Sequence, residues 1–266
     1  MSSGLLFAIG CALAALAYGI HSNKWIMSLP TGNDRMRDWL DANPADERAA
    51  YEAAVEALAA LHRLPPGPFA LYDMAVYQRE AALLTEWYCP AQGLTVDTEG
   101  FAAAWAEVLA PVLSRQNPGV TVLRDYHAEN IMLLDDGQQG IIDFQDALVG
   151  HPAYDLVSLL QDARRDVRPE LEAEMLAYYL TVANPSPDFD AHYALLGAQR
   201  NTKIIGIFTR LWKRDGKERY LSFLPRMWGL LERDLAHPAL ADIKQWFDTH
   251  IPPEVRSLSP LDIVHG

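Results

Sequence analysis

The sequence predicts an α+β chain: a mainly helical body that carries one small β-hairpin. Three observations predict it. Apolar residues recur three and four apart in "ADERAAYEAAVEALAALHRL" at 45–64, short β-prone runs cluster between residues 117 and 144, and helical patterning returns from Asp155 to the end. With 266 residues, 50% of them hydrophobic, the chain can bury a sizeable core as one large or two unequal domains.

In chain order, the first element is "GLLFAIGCALAALAYGI" at residues 4–20, which contains no charge. As a helix it reaches about 25 Å, slightly less than a bilayer core. It reads as a membrane anchor or as a buried helix, and the opening "MSSG" lacks the positive start of a cleaved signal. Lys24, Arg35 and Arg37 follow, so an anchor would tether the remainder to the inner, cytoplasmic face of the membrane. Residues 1–30 thus form an apolar N-terminal segment distinct from the body at 31–266.

After the turn-rich "LPTGND" at 29–34, helical patterning starts near Arg35. In the piece at 45–64, Tyr51, Val55, Leu58 and Leu61 make one apolar stripe, and "LPPGP" at 64–68 ends it because proline lacks the helical donor. Further helices are predicted over 74–88 and 98–115, with Pro111 as a kink or early end. "NPGVTVL" at 117–123 begins the β-prone part, and "IMLL" at 131–134 and "GIIDF" at 140–144 flank "DDGQQ", a hairpin turn. From Asp155 onward the chain reads as helix, including an aromatic and basic stretch at 200–235.

The formal net charge of -13 and a pI near 5.0 exclude a general nucleic-acid binder, since phosphate backbones reward basic surfaces. A small nucleotide stays compatible, because a bound metal offsets its charge. Cys11 and Cys89 are far apart, with no disulfide framework or zinc spacing, which fits a reducing compartment.

The densest polar stretch is "LRDYHAENIMLLDDGQQGIIDFQD" at 123–146. Asp125 and Asn130 stand as Asp-x-x-x-x-Asn, a spacing in which the carboxylate receives a hydroxyl proton and the amide holds metal in phosphoryl transfer. That spacing alone arises by chance in many loops. Here it lies between β runs, Asp143 follows across the hairpin as a second oxygen ligand, and "GHPAYDL" at 150–156 adds Asp155 at a helix start. Asp155 either accepts backbone donors of the loop or caps its own helix. His127 either braces the loop or touches phosphate, and Glu129 faces solvent or pairs with an arginine.

These residues resemble the aminoglycoside phosphotransferase group of kinases, whose fold is like that of protein kinases. The match is specific across about 120–165. Within the group, "RDYHAENIMLL", "DFQDALVGHPAYDLVSLLQDARRDV", "QRNTKIIGIFTRL" and "RDGKERYL" look most like bacterial cytoplasmic sugar kinases that phosphorylate the anomeric hydroxyl of N-acetylmuramate and N-acetylglucosamine. The resemblance implies ATP as co-substrate and Mg2+, with Asp125 as catalytic base, Asn130 and Asp143 as metal ligands, and helices around them that build a sugar pocket. In "YQREAALLTEWY", Glu80 and Glu86 with Trp87 and Tyr88 offer carboxylates and an aromatic platform to a sugar, although their spacing suits a packed helix equally. Arg200, with Asn201, Lys203 and Arg210, makes a pocket edge or, the favoured reading, a solvated helix face.

The same resemblance implies an N-terminal lobe with a glycine-rich loop, a strand lysine and a helix glutamate. Fewer than thirty residues precede its hinge near "WIMSLPTGNDRM", and Lys24 has no such motif around it. The expectation is therefore a protein-kinase-like C-terminal lobe with a truncated N-terminal lobe. Such a chain is a sugar phosphotransferase with an impaired or externally supplied nucleotide clamp, or a noncatalytic, membrane-tethered sugar-binding module.

Overall fold

The computed structural model describes residues 34–116, 118–133 and 139–256. The apolar segment at 4–20, Cys11, Lys24 and most of the "DDGQQ" turn lie outside those residues, as does the N-terminal part of the hinge. No helix among the described residues is long and apolar enough to cross a membrane. The chain divides into two units, the first made of 34–71 and 118–185, the second of 72–116 and 186–256.

In the first unit, β1 (Asp34–Arg35) leads into α1 (Met36–Ala42), and a short 3-10 turn into α2 (Glu47–His62). The predicted stripe explains α2: Tyr51, Val55 and Leu58 are fully buried, with Ala54 beside them. Each large apolar side chain buried this way contributes about 1.5–3 kcal/mol. Helix α2 packs against α6 (Pro169–Ala183), which buries Leu171, Met175 and Tyr179 at the same helical spacing. Helix α5 (Ala153–Leu160) is buried along its whole length.

Two small sheets carry the loop between them. Strand β3 (Ile131–Leu133) pairs antiparallel with β4 (Gln139–Ile141), Ile131 opposite Ile141, which is the predicted hairpin. Strand β1 adds to the other edge of β3, Arg35 opposite Met132. Strand β2 (Val120–Val122) pairs antiparallel with β5 (Leu148–Gly150). Neither β1 nor β5 is visible as a strand in the sequence, because two or three residues are too few to show a period of two.

A buried histidine marks the contact of α2 with α6. The Tyr179 hydroxyl lies 2.8 Å from His62 Nδ1, while Nε2 is sealed from solvent with no partner among the described residues. The residue is partly exposed at its outer edge, but Nε2 is not. Burial therefore pushes the ring's pKa down to about 3. In the unfolded chain it titrates near 6.5, so below that pH the unfolded state takes up a proton that the folded state refuses. The associated stability is complete above about pH 6.5 and is lost as pH falls toward 3, roughly 2 kcal/mol of it by pH 5. Urea unfolding at about pH 7.5 and about pH 5 should show a difference that shrinks by that amount in His62→Phe. An unchanged difference would remove His62 from this account.

The second unit is helical: α3 (Met74–Ala81), α4 (Thr98–Arg115), α7 (Phe189–Asp215), α8 (Leu224–Leu235) and α9 (Ala241–His250). The predicted helix over 74–88 is not continuous. Helix α3 stops at Ala81, and Leu84–Tyr88 form a π-helical turn. That turn lies against α7 at Gly206, where a Cβ would stand 2.4 Å from the Leu83 carbonyl carbon, so only glycine permits the approach. Pro111 does not end α4. It lies on the exposed face, where water can take the carbonyl that its missing N–H leaves unbonded. Cys89 is buried and free, and burial pushes its thiol up to about 12, so it is an inert core residue.

Candidate functional site

The loop between β2 and β3 is held in place by the fully buried Asp155, in the first turn of α5. Its carboxylate accepts from the Leu123 N–H at 2.6 Å and from the Arg124 N–H at 2.8 Å, while the first N–H of α5, that of Ala153, is met by His151 Nδ1 at 3.2 Å. Ser158 Oγ donates to the Arg124 carbonyl at 3.3 Å, and the Tyr126 hydroxyl donates to the Ala54 carbonyl on α2 at 2.9 Å. These bonds hold Arg124 at φ 71°, a left-handed conformation that costs a residue with a Cβ about 1 kcal/mol or more. The kink turns the chain so that Asp125 projects into solvent while Leu123 and Tyr126 stay in the core.

Asp125, His127, Asn130 and Asp143 line one open concavity of about 440 Å³, together with Arg35, Glu129, Ile142 and Arg164. The Asp125 carboxylate is exposed and has no hydrogen-bond partner among the described residues. Its backbone carbonyl is occupied, accepting from the His127 N–H at 3.1 Å and from Asn130 Nδ2 at 3.0 Å. Because the amide nitrogen of Asn130 is committed in this way, its Oδ1 is the atom left to accept. The hairpin places Asp143 beside it, through the Ile142 N–H that donates to the Asn130 carbonyl at 3.0 Å. Asp143 is also left-handed, at φ 61°, and takes Gln145 Nε2 on Oδ1, which leaves Oδ2 without a partner among the described residues.

Two oxygens from an amide and a carboxylate are hard donors of the kind that magnesium accepts. Among the described residues no group of three or more His, Cys, Asp or Glu converges as a metal cage. The pair fits a magnesium that is held mainly by nucleotide phosphates and water, which needs one or two protein oxygens.

Three further residues shape the concavity. Glu129 pairs with Arg37 Nη1 through one oxygen and lies 3.3 Å from Arg164 Nε through the other. His127, only 4% exposed, has its Nε2 3.3 Å from Arg164 Nη1 and 3.5 Å from Asn130 Nδ2. Hydrogen bonding to Asp38 first, and then the field of Glu129, raises the Arg37 pKa above its ordinary value. Sequence reasoning leaves Arg35 and Arg164 out of the site. Arg164 shows only as one of two adjacent arginines after a helix, and Arg37 is 92 residues from the glutamate that it holds.

Glu80, Trp87 and Arg200 belong to the second unit, and none of them lines this concavity. Glu80 is 6% exposed, accepts from the Tyr72 hydroxyl and pairs with Lys203 Nζ at 3.0 Å. The Tyr72 and Tyr77 rings stack at 3.9 Å beside it. Trp87 is half-buried in the π-helical turn. The expectation of a solvated face on the 200–210 stretch is wrong: Arg200 and Asn201 are buried, and Asn201 Nδ2 donates to Asp234 on α8 at 3.0 Å. Helix α7 packs against α8, α3 and the π-helical turn, which is why Arg200 and Asn201 in its middle lie inside, while Lys213 and Arg214 at its end stay exposed.

Comparison with known proteins agrees with this geometry. Residues 26–195 match the phosphotransferase enzyme family. The N-acetylmuramate/N-acetylglucosamine kinase of Caulobacter vibrioides is 37% identical across 93% of this chain and 75% of its own length. The enzyme of the same name from Pseudomonas aeruginosa is 35% identical across 91% of this chain and 74% of its own. A crystal structure of an aminoglycoside phosphotransferase from Alicyclobacillus acidocaldarius superposes with a TM-score of 0.56 at 14% identity, covering 91% of this chain and 83% of that one. At that identity the likeness shows the fold, which is protein-kinase-like.

Proposed function

The chain belongs to the phosphotransferase enzyme family, and from that premise we propose that it transfers the γ-phosphoryl group of ATP to a hydroxyl of an amino sugar, N-acetylmuramate or N-acetylglucosamine. The observation that carries the proposal is one concavity lined by the Asp125 carboxylate and by Asn130 Oδ1 and Asp143 Oδ2, none of which has a partner among the described residues. The sugar is chosen by the names of the relatives that align along nearly the whole chain.

Asp125 accepts the proton of the sugar hydroxyl as its oxygen bonds to the γ-phosphorus. The bond from that phosphorus to the bridging oxygen breaks, and ADP leaves with the electron pair. Asn130 and Asp143 would hold Mg2+, which would supply charge neutralisation at the phosphates. Asp155 keeps the loop in register, and His127 braces Asn130 and Arg164 from within. A reaction that consumes ATP fits a cytoplasmic place of action.

The test is to incubate the full chain with either sugar, ATP and magnesium chloride and to follow phosphorus-31 resonances. A sugar monophosphate and ADP should appear together and stop on addition of EDTA. A chain that binds nucleotide yet forms no sugar phosphate from either acceptor would overturn the proposal.

A further inference from the structure

Phosphoryl transfer needs positive charge beside the moving group, and two arginines line the concavity. They differ in how they are held. Arg35 is exposed and has no side-chain partner among the described residues. Arg164 is fixed from three sides. Its N–H donates to Asp162 Oδ1 at 2.8 Å, which sets the turn after α5, while Nε lies 3.3 Å from Glu129 Oε2 and Nη1 lies 3.3 Å from His127 Nε2. Glu129 in turn is held by Arg37 on its other oxygen, so the carboxylate that aims Arg164 is itself anchored. The side chain of Arg164 remains 32% exposed, and its Nη2 has no partner among the described residues.

We propose that Arg164 contacts the phosphoryl group during transfer, with Glu129 and His127 presenting its guanidinium and Nη2 left to donate to a phosphoryl oxygen. The proposal rests on the phosphotransfer reading of the same site and adds to it the cation. A guanidinium suits the role better than an ammonium, because it carries five N–H donors in a fixed plane: with Nε and Nη1 spent on the positioning groups, Nη2 still has its own to give to the phosphate. Glu129 is a positioning residue. It lowers the freedom of Arg164 and is itself held by Arg37, whose guanidinium also pairs with Asp38 at 2.7 Å.

The experiment is calorimetry of the full chain with magnesium and ADP, with and without aluminium fluoride, an analogue of the phosphoryl group in transfer. In the wild type aluminium fluoride should tighten ADP binding by about 100-fold, as such analogues do. Arg164→Ala should bind ADP alone as the wild type does and lose that tightening. Arg164→Lys, which keeps the charge but not the fork, should retain about a tenth of it, and Glu129→Gln should lie between Lys and wild type. Where sugar phosphorylation is measurable, kcat of Arg164→Ala should fall roughly 10³-fold and recover in part with added guanidinium chloride, which no loss of packing would do.

Equal tightening in wild type and Arg164→Ala, or none in the wild type, overturns the proposal. If both arginine variants melt early and lose ADP binding as well, the residue is structural and the proposal also fails. Tightening that is lost in Arg164→Ala, from a chain that phosphorylates neither sugar, would refute the acceptor and leave Arg164 in place.

Discussion

Asp125→Asn should lower kcat for sugar phosphorylation by about 10³-fold while the KM values for sugar and nucleotide change less than about threefold. The amide has the shape of the carboxylate but cannot accept the hydroxyl proton. No structural bond goes with it, because the hydrogen bonds at residue 125 run through its backbone carbonyl. Thermal melting should therefore stay within about 1 °C of wild type, since an exposed side chain without partners contributes little to stability. Steady-state kinetics and calorimetric melting of the same preparation check both halves. A kcat within tenfold of wild type would mean that the proton leaves by another route.

Asp155→Ala should act the opposite way, on the scaffold before the chemistry. Two backbone donors, one buried and one part-buried, lose a charged acceptor, each such bond being worth about 1.5–3 kcal/mol, so unfolding free energy should drop by roughly 3–6 kcal/mol. Asp155→Asn keeps one acceptor oxygen and should lose about half as much. Hydrogen exchange at the amides of Leu123 and Arg124 gives the local reading, because protection there should fall before that of α2. Full protection of both amides in Asp155→Ala would show that the loop is held by something else.

The helices and the hairpin are legible in the sequence wherever apolar spacing repeats for long enough. The stripe of Tyr51, Val55 and Leu58 on α2 and the pairing of Ile131 with Ile141 both follow from it. The two-residue β1 and three-residue β5 escape, because pairing with β3 and β2 makes them strands rather than any pattern of their own. The break after Ala81 escapes for a related reason. It accommodates Gly206 of α7, more than a hundred residues later in the chain.

In the site the same division holds. Asp125, Asn130 and Asp143 lie within nineteen consecutive positions, and their order carries the chemistry. Glu129 is visible, but its two arginines come from both sides of the sequence, where a lone charge reads as surface. The misreading of Arg200 and Asn201 has the reverse cause. Polar residues on a helix signal water by default, and only the neighbouring helices show that these are inside.

The bond from Asn130 Nδ2 to the Asp125 carbonyl bears on why position 130 holds an amide at all. For gripping a dication, a second negative charge would be the stronger choice. Aspartate there would set one of its oxygens against the carbonyl oxygen at 3.0 Å, lone pair to lone pair, and the two dipoles would push the turn open. Asparagine is the side chain that can face two ways at once, giving a proton to its own loop and an oxygen to the solvent side. Its neutrality is thus a concession to the backbone beneath it, and changing it to the better ligand would be expected to cost the loop its shape.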